Sequence, residues 1–218
     1  MIDIETIGVR STSMLLQIGA CYFDRNTGEI GKTFLVNIDP SMFKDQFTFD
    51  YGTVKWWFEQ TEEARKSVME NAVELRVALM DLHDFCDSDE TNIWCHATFD
   101  MPIILNAFEV MGIKFPIHFR RMRDIRTLMD IADHKTEKPR QGIHHNGLDD
   151  AKFQVVYVVE ALNKLKGMSA EEVISDYELH VLQQIRYPAH DSTAFERNGV
   201  EVKNWELVKN WIRTIWKK

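Results

Sequence analysis

Two acidic residues interrupt an apolar run at the start of the chain, Ile2–Ile7. Because side chains on a β-strand alternate between its two faces, Asp3 and Glu5 project from the same face. A buried strand cannot hold two neighbouring anions without a compensating charge. A divalent cation that favours oxygen ligands, Mg²⁺ or Mn²⁺, would supply that charge. A solvated edge strand with two surface acids is the alternative, and the pair alone does not decide between them.

Two later segments bring further ligand-type residues to the ends of predicted elements. His96–Asp100 follows the strand-like segment Asn92–Cys95 and leads into an apolar helix, with Pro102 suited to its first turn. Asp100 therefore lies at a strand-to-helix junction, where a helix N-cap is the alternative interpretation. In His144–Asp150 a polar loop delivers histidines and a helix then presents carboxylates. A hydrophobic core does not need this combination, which favours a catalytic site.

With these three motifs the chain resembles the DEDDh branch of the DEDD superfamily of 3′–5′ exonucleases. That branch has a D-x-E motif, an Asp after a strand, and H-x-x-x-x-D. The likeness is closest to phage and prophage exonucleases of the exonuclease A type, and it covers residues 1 to about 165. The segments that carry it, in family order, are Ile2–Thr6, Trp56–Gln60 with Glu63–Arg65, Ala97–Asp100, Arg123–Thr127 and His145–Ala151.

The third motif can be read in two registers. His144 with Asp149 and His145 with Asp150 both satisfy H-x-x-x-x-D. The family places Ala after the Asp, so the resemblance selects His145 and Asp150, which Ala151 follows.

The resemblance implies a two-ion hydrolase. Asp3, Glu5 and Asp150 would hold the first Mg²⁺ or Mn²⁺ ion, and Asp3 would also reach the second. Asp100 would support the second ion, and His145 would deprotonate the attacking water. The expected activity removes nucleoside 5′-monophosphates from the 3′ end of DNA. An exoribonuclease acting on single-stranded or short RNA is the alternative.

The same resemblance assigns residues to the terminal nucleotide. The expected substrate-binding residues are Thr6, Ile7, Trp56, Trp57, Gln60 and Phe99. Adjacent helix positions point about 100° apart, so we expect one tryptophan to be buried and the other to be free. His96 departs from the family pattern, which frequently has Asn at this position, and its role stays open.

The net charge of −8 argues against an extended nonspecific nucleic-acid binder, which usually has a basic surface. Metal ions would neutralise the acidic cluster and bind the phosphate themselves. The expected partner is therefore a nucleic-acid 3′ end held over a small area. The basic segments 120–126 and 134–140 are either phosphate contacts or solvated faces.

Chain length and apolar content place the protein among globular domains. The 218 residues suit one domain with a small appendage. No apolar run approaches the ~20 residues that span a membrane, and the N-terminus is not a signal peptide. Cys21, Cys86 and Cys95 lie in apolar contexts and are expected to be reduced core residues. These features predict a cytoplasmic protein, in the host cytoplasm if it is phage-encoded.

The element pattern predicts a ribonuclease H-like α/β fold. The strand 14–23 is apolar on both faces and therefore central, and with the first strand and 30–38 it forms an antiparallel meander. Helix-linked parallel strands and flanking helices complete a mixed sheet. The remaining predicted elements are helices 53–59, 61–70 and 72–87, strand 92–95, helix 101–112, a strand near 117–123, helix 125–133 with Asp124 as N-cap, loop 134–147 and helix 148–166.

Residues 1–166 are predicted to form the exonuclease domain, and residues 167–218 a helical extension. Its segment 203–216 has an apolar helical face. We expect this face to pack on the domain, because an isolated helix of this length is marginal. A homodimer formed through it is possible but not favoured.

Overall fold

The computed structural model describes residues 1–41, 45–86 and 91–167. The predicted extension, with its helix at 203–216, lies outside these residues. The strands are β1 (Ile2–Thr6), β2 (Leu15–Phe23), β3 (Ile30–Asn37), β4 (Ile93–Cys95) and β5 (Met122–Asp124). The helices are α1 (Tyr51–Glu59), α2 (Glu62–Ser67), α3 (Leu75–Phe85), α4 (Asp100–Val110), α5 (Ile125–Ile131) and α6 (Gly147–Gly167). None of these helices is both long and apolar enough to cross a membrane.

The first three strands form the predicted antiparallel meander. β2 lies between β1 and β3, and its residues from Leu15 to Cys21 are all buried. In the β1–β2 ladder Asp3 lies opposite Gly19 and Glu5 lies opposite Gln17. The central position of β2, expected from its apolar character on both faces, is confirmed.

The second ladder pairs β4 with β5 in parallel, and β4 lies beside β1. Together with the meander, this gives the predicted combination of antiparallel and helix-linked parallel strands. The strand expected near 117–123 begins only at Met122. The preceding residues Phe119–Arg121 form a 3₁₀ turn, which the His118 side chain caps by accepting from Arg120 N.

Apolar faces of β1, β2, α3 and α4 build the main core. Leu75, Leu79 and Leu82 follow the helical period along α3 and are fully buried, each contributing about 1.5–3 kcal/mol. All three cysteines are free and buried, as expected. The core therefore fixes the strand ends and helix starts that carry the three motifs.

The start of α6 approaches the backbone of the central strand. A Cβ atom at Gly19 would lie 2.0 Å from the Gly147 carbonyl carbon and 2.1 Å from Leu148 N. Gly147 N donates a 2.6 Å hydrogen bond to Oε1 of the buried Gln17. The Gln17 Nε2 group donates to Asn37 Oδ1, 2.6 Å away. Gly19 and the buried side-chain amide of Gln17 thus position the helix that carries the third motif against β2.

The substitution Gly19→Ala should destabilise the protein severely. Its methyl group would overlap backbone atoms, which cannot rotate away, so we expect a loss of about 3 kcal/mol or more in the free energy of unfolding. Gly31→Ala on β3 is the matched control, because its Cβ would meet Tyr22 Cβ at an ordinary 3.5 Å. Urea unfolding followed by circular dichroism measures both. Equal midpoints for the two variants would contradict this account of α6.

Candidate metal centre and active site

The first two carboxylates lie on β1 with 8% exposure each. Alternation along the strand turns Asp3 and Glu5 to one face, as predicted. Asp150, in the first turn of α6, joins them from the other side of the site. Oxygen atoms of these three carboxylates all lie within 4.8 Å of one another. The residues expected to hold the first ion are therefore brought together.

Asp100 is the first residue of α4 and is only 1% exposed. It is not the N-cap of that helix, because Phe99 takes that position. Its Oδ2 atom instead accepts a 2.7 Å hydrogen bond from His96 N. Asp3, His96 and Asp100 form a second group of ligand atoms within 4.8 Å. Asp3 thus belongs to both groups, which matches the arrangement expected for two ions.

His145 lies in the turn before α6, with its Nδ1 atom 3.9 Å from Glu5 Oε1. Its ring meets Trp56 edge to face, with 4.6 Å between the ring centroids, and stacks on His144 at 3.8 Å. Its backbone has a φ of 63°, in the left-handed region. The turn therefore holds His145 between the carboxylates of β1 and an aromatic face of α1.

Asp149 and Asp150 have different surroundings. Asp149 Oδ2 accepts a 2.8 Å hydrogen bond from Ile143 N, and Asp149 N donates to Asn146 Oδ1 at 3.2 Å. Asp149 thus ties the histidine-bearing turn to α6. Among the described residues, the convergent ligand groups include Asp150 and not Asp149. This geometry favours the register of His145 with Asp150.

Of the two adjacent tryptophans of α1, one is buried and the other is partly exposed, as predicted. Trp57 is 8% exposed, and its Nε1 atom donates to the Thr6 carbonyl at 2.8 Å. Trp56 is 37% exposed beside His145. Gln60 Nε2 donates to the Trp56 carbonyl at 2.9 Å. Trp56 therefore has the free aromatic surface, and Trp57 anchors α1 to the end of β1.

Ile7 and Phe99 are the other two residues expected to contact the terminal nucleotide. Both are half-buried and pack on the main core. Ile7 follows Glu5 by two residues, and Phe99 directly precedes Asp100. Each is therefore close in sequence to a carboxylate of the cluster, on a separate element.

Burial makes the carboxyl groups of the cluster harder to ionise. It raises the pKa of Asp3 well above its ordinary value, and the neighbouring Asp100 and Glu5 raise it further. Burial and Asp100 raise the pKa of Glu5 to about 8, and burial raises that of Asp100 to about 7. Burial, with the nearby His144 and Arg140, lowers the pKa of His145 to about 4. At neutral pH Glu5 therefore keeps its proton in the metal-free protein, whereas His145 is neutral and has a free lone pair.

Two partners of the cluster complete its polar surroundings. Arg140 forms an ion pair with Asp150 and lies 5.2 Å above the Phe153 ring. The sequence had indicated Arg140 only as a candidate phosphate contact. Gln154, which sequence reasoning missed, donates from Nε2 to Asp3 Oδ1 at 2.5 Å. Its position four residues after Asp150, on the same helical face, was the available signal.

The donor set fits Mg²⁺ or Mn²⁺. Carboxylate oxygens dominate both groups, and these cations prefer such hard ligands. The raised pKa values of Asp3 and Glu5 show that the carboxylates lack sufficient compensating charge when no cation is bound. The residues present are therefore suited to divalent cations.

The pKa of Glu5 predicts how the stability of the metal-free protein depends on pH. The ordinary value is 4.5, so between pH 4.5 and 8 the folded protein holds a proton that the unfolded chain has lost. The stability contributed by this group therefore falls as pH rises from 4.5 to 8 and levels off above the folded pKa. From pH 6.5 to 8 we expect Glu5 to remove on the order of 1–2 kcal/mol from the free energy of unfolding.

Urea unfolding in EDTA at pH 6.5 and pH 8 measures this effect as the difference between wild type and Glu5→Gln. The comparison is needed because burial lowers the pKa of the Met1 amine, which therefore contributes with the opposite sign. Saturating Mn²⁺ should abolish the difference. The same pH dependence in both proteins would show that the pKa of Glu5 is not raised in the folded protein.

Comparison with known proteins identifies the family and the fold of this chain. A family model described as "3'-5' exoribonuclease Rv2179c-like domain" matches residues 1–162. The exodeoxyribonuclease of Enterobacteria phage T4 is 22% identical over 207 residues, covering 77% of this chain and 90% of that protein. The nuclease domain of 3′hExo, a DEDDh family member bound to rAMP, aligns with a TM-score of 0.50 and 13% identity over 74% of this chain and 90% of that one. The predicted fold class is confirmed.

Proposed function

The chain belongs to the family described as the 3′–5′ exoribonuclease Rv2179c-like domain, and we propose that it shortens nucleic acid, with DNA as the preferred substrate, from the 3′ end with two divalent cations and a histidine base. The protein is a 3′–5′ exonuclease of the DEDDh superfamily and hence a phosphodiester hydrolase. The DNA substrate, the two cations and the histidine base are the parts of this function that we propose.

The convergence of carboxylates from three elements carries the proposal. Asp3, Glu5 and Asp150 would hold the first cation, and Asp3 with Asp100 the second. When bound, such cations supply the positive charge that activates a water and stabilises the leaving oxygen. Gln154 orients Asp3 for this task through its 2.5 Å hydrogen bond.

His145 is the proposed general base. Its ring lies 3.9 Å from Glu5, and its lowered pKa keeps it neutral at working pH. A ring nitrogen can therefore accept the proton of the water that attacks the phosphorus. The bond from phosphorus to the 3′ oxygen of the preceding nucleotide breaks, and that oxygen takes up a proton. The products are a nucleoside 5′-monophosphate and a shortened strand with a 3′-hydroxyl.

Trp56 is the proposed platform for the terminal base. Its partly exposed ring lies beside His145, and stacking of a base on an aromatic ring contributes about 1–3 kcal/mol for any base. Trp57 supports this platform from below, since its indole is bonded to Thr6. The proposed walls of the nucleotide site are Thr6, Ile7, Gln60 and Phe99.

The relative from phage T4 is named as an exodeoxyribonuclease, which supports DNA as the substrate. The matching family model is described as an exoribonuclease, which makes RNA the second candidate. The two sugars differ by the 2′-hydroxyl, which a nucleotide pocket reads through its shape and hydrogen bonds.

Digestion of matched oligomers tests the proposal. DNA and RNA of the same sequence, labelled at the 5′ end, are incubated with the protein and Mg²⁺ or Mn²⁺, with EDTA as control. We expect a ladder of products that shorten from the 3′ end, faster for DNA. A faster RNA ladder would select the second candidate, and internal cleavage without a ladder would refute exonuclease action.

A further inference from the structure

His96 has a rigidly held backbone at the end of β4. Its carbonyl accepts hydrogen bonds from Phe99 N at 2.8 Å and from Asp100 N at 2.9 Å. Its own N–H group donates to Asp100 Oδ2 at 2.7 Å. Three hydrogen bonds therefore close a tight turn that fixes the backbone of His96 relative to Asp100.

A second contact holds the same turn from β5. Asp124 Oδ2 accepts a 2.9 Å hydrogen bond from Ala97 N, while Asp124 Oδ1 accepts from Thr127 N at 2.8 Å. Asp124 is thus the N-cap of α5, as predicted, and also a clamp on the residue after His96. A turn held on both sides keeps the His96 backbone beside the cluster.

The imidazole faces the carboxylates without a hydrogen bond to satisfy it. Its Nδ1 atom is 3.9 Å from Asp100 Oδ2, beyond hydrogen-bond range. Within the described residues, its ring nitrogens have no hydrogen-bond partner. A ring nitrogen nevertheless lies within 4.8 Å of oxygen atoms of both Asp3 and Asp100. Octahedral ligands bound at about 2.1 Å lie about 3.0 Å apart when adjacent and about 4.2 Å apart when opposite, so the three side chains would move closer together around an ion.

We propose that His96 is a nitrogen ligand of the second cation and makes that position prefer Mn²⁺ over Mg²⁺. The inference rests on the proposed two-ion function and adds a ligand and a metal preference to it. Imidazole nitrogen binds first-row transition metals well, whereas Mg²⁺ favours oxygen donors and bound water.

Other histidines near the cluster could also provide a nitrogen ligand, and the test must distinguish them from His96. His144, His145 and Asp150 form a third group of ligand atoms within 4.8 Å. A histidine signal from bound metal could therefore come from either side of the cluster. The test therefore compares a variant at His96 with a double variant at His144 and His145 in the full-length protein.

Pulsed electron paramagnetic resonance of the Mn²⁺-loaded protein gives a direct readout, because nitrogen bound to Mn²⁺ modulates the electron spin echo. We expect a nitrogen modulation in wild type that changes when histidine is labelled with ¹⁵N. It should persist in the double variant His144→Ala/His145→Ala and disappear in His96→Asn. The ¹⁵N-histidine-labelled double variant keeps the test decisive even if His96→Asn folds poorly.

Calorimetric titration with each metal provides the second readout. In wild type, Mn²⁺ should bind more tightly than Mg²⁺, and His96→Asn should reduce the ratio of their dissociation constants by about tenfold or more. An unchanged ratio, or a nitrogen modulation that survives in His96→Asn, would overturn the proposal. If wild type shortens 3′ ends but shows no modulation, His96 is not a ligand and the proposed function stands. If it shows the modulation but cleaves nothing, the proposed function fails instead.

Discussion

Asp150→Asn should lower the rate of 3′-end cleavage by at least about 10³-fold, equivalent to about 4 kcal/mol of transition-state stabilisation. Asp150 supplies one of the three carboxylates that converge at the first proposed ion. The amide has similar size but no charge, so the site would lose cation affinity without losing its shape. Single-turnover digestion of labelled DNA at saturating Mn²⁺ gives the rate.

Asp149→Asn is the matched control, because it changes the adjacent residue in the same way. Its amide oxygen can still accept the hydrogen bond from Ile143 N, and Asp149 belongs to none of the convergent ligand groups among the described residues. We expect a far smaller loss of rate. If the two variants retained equal activity, the register of the third motif would be wrong.

The same reasoning applies to Asp3, which both ligand groups share. Asp3→Asn should abolish cleavage, while the metal-free protein should be as stable as wild type or slightly more stable. The substitution removes repulsion between buried carboxylates. A thermal melt in EDTA checks this point, and a large fall in melting temperature would show that the variant is inactive for structural reasons.

His145→Ala should lower the single-turnover rate by about 10²–10⁴-fold, the usual range for a general base. Binding of Mn²⁺, measured by calorimetry, should change little, because the proposed base is not a ligand. The imidazole lies between Glu5 and Trp56, where it can reach a water at the cluster. Loss of rate with retained metal affinity would distinguish a base from a ligand.

His144→Ala is the control for the neighbouring histidine. His144 stacks on His145 but is the more exposed of the two rings, so its removal should cost little of the rate. The reverse ranking of the two variants would identify His144 as the base. A large loss of Mn²⁺ affinity in His145→Ala would instead make the His144, His145 and Asp150 group a true metal site.

Much of the architecture could be predicted because its physical causes are local. The apolar character of β2 on both faces fixed it as the central strand. Alternation along β1 placed Asp3 and Glu5 on one face, and the 100° step along α1 separated Trp56 from Trp57. The N-cap role of Asp124 also followed from sequence. In each case the answer depends only on neighbours in the chain.

Element boundaries were less certain where tertiary contacts compete with local preference. β5 is shorter than predicted because a capped 3₁₀ turn at Phe119–Arg121 takes the start of the expected strand. Asp100 had two local interpretations, as an N-cap or as a site residue. The structure excludes the N-cap interpretation, because Phe99 takes that position and Asp100 Oδ2 accepts its hydrogen bond from His96 N.

Local patterns predict the strand order of the meander and place acidic residues in three motifs that suit a divalent cation. Only the packed structure shows that Gly19 allows α6 to approach β2 and that Gln154 donates to Asp3. It likewise shows that Arg140 pairs with Asp150 and that His96 lies in the second ligand group. These contacts join residues distant in sequence, and no local periodicity encodes such distances. They arise only when the packed core brings the strand ends and the start of α6 together.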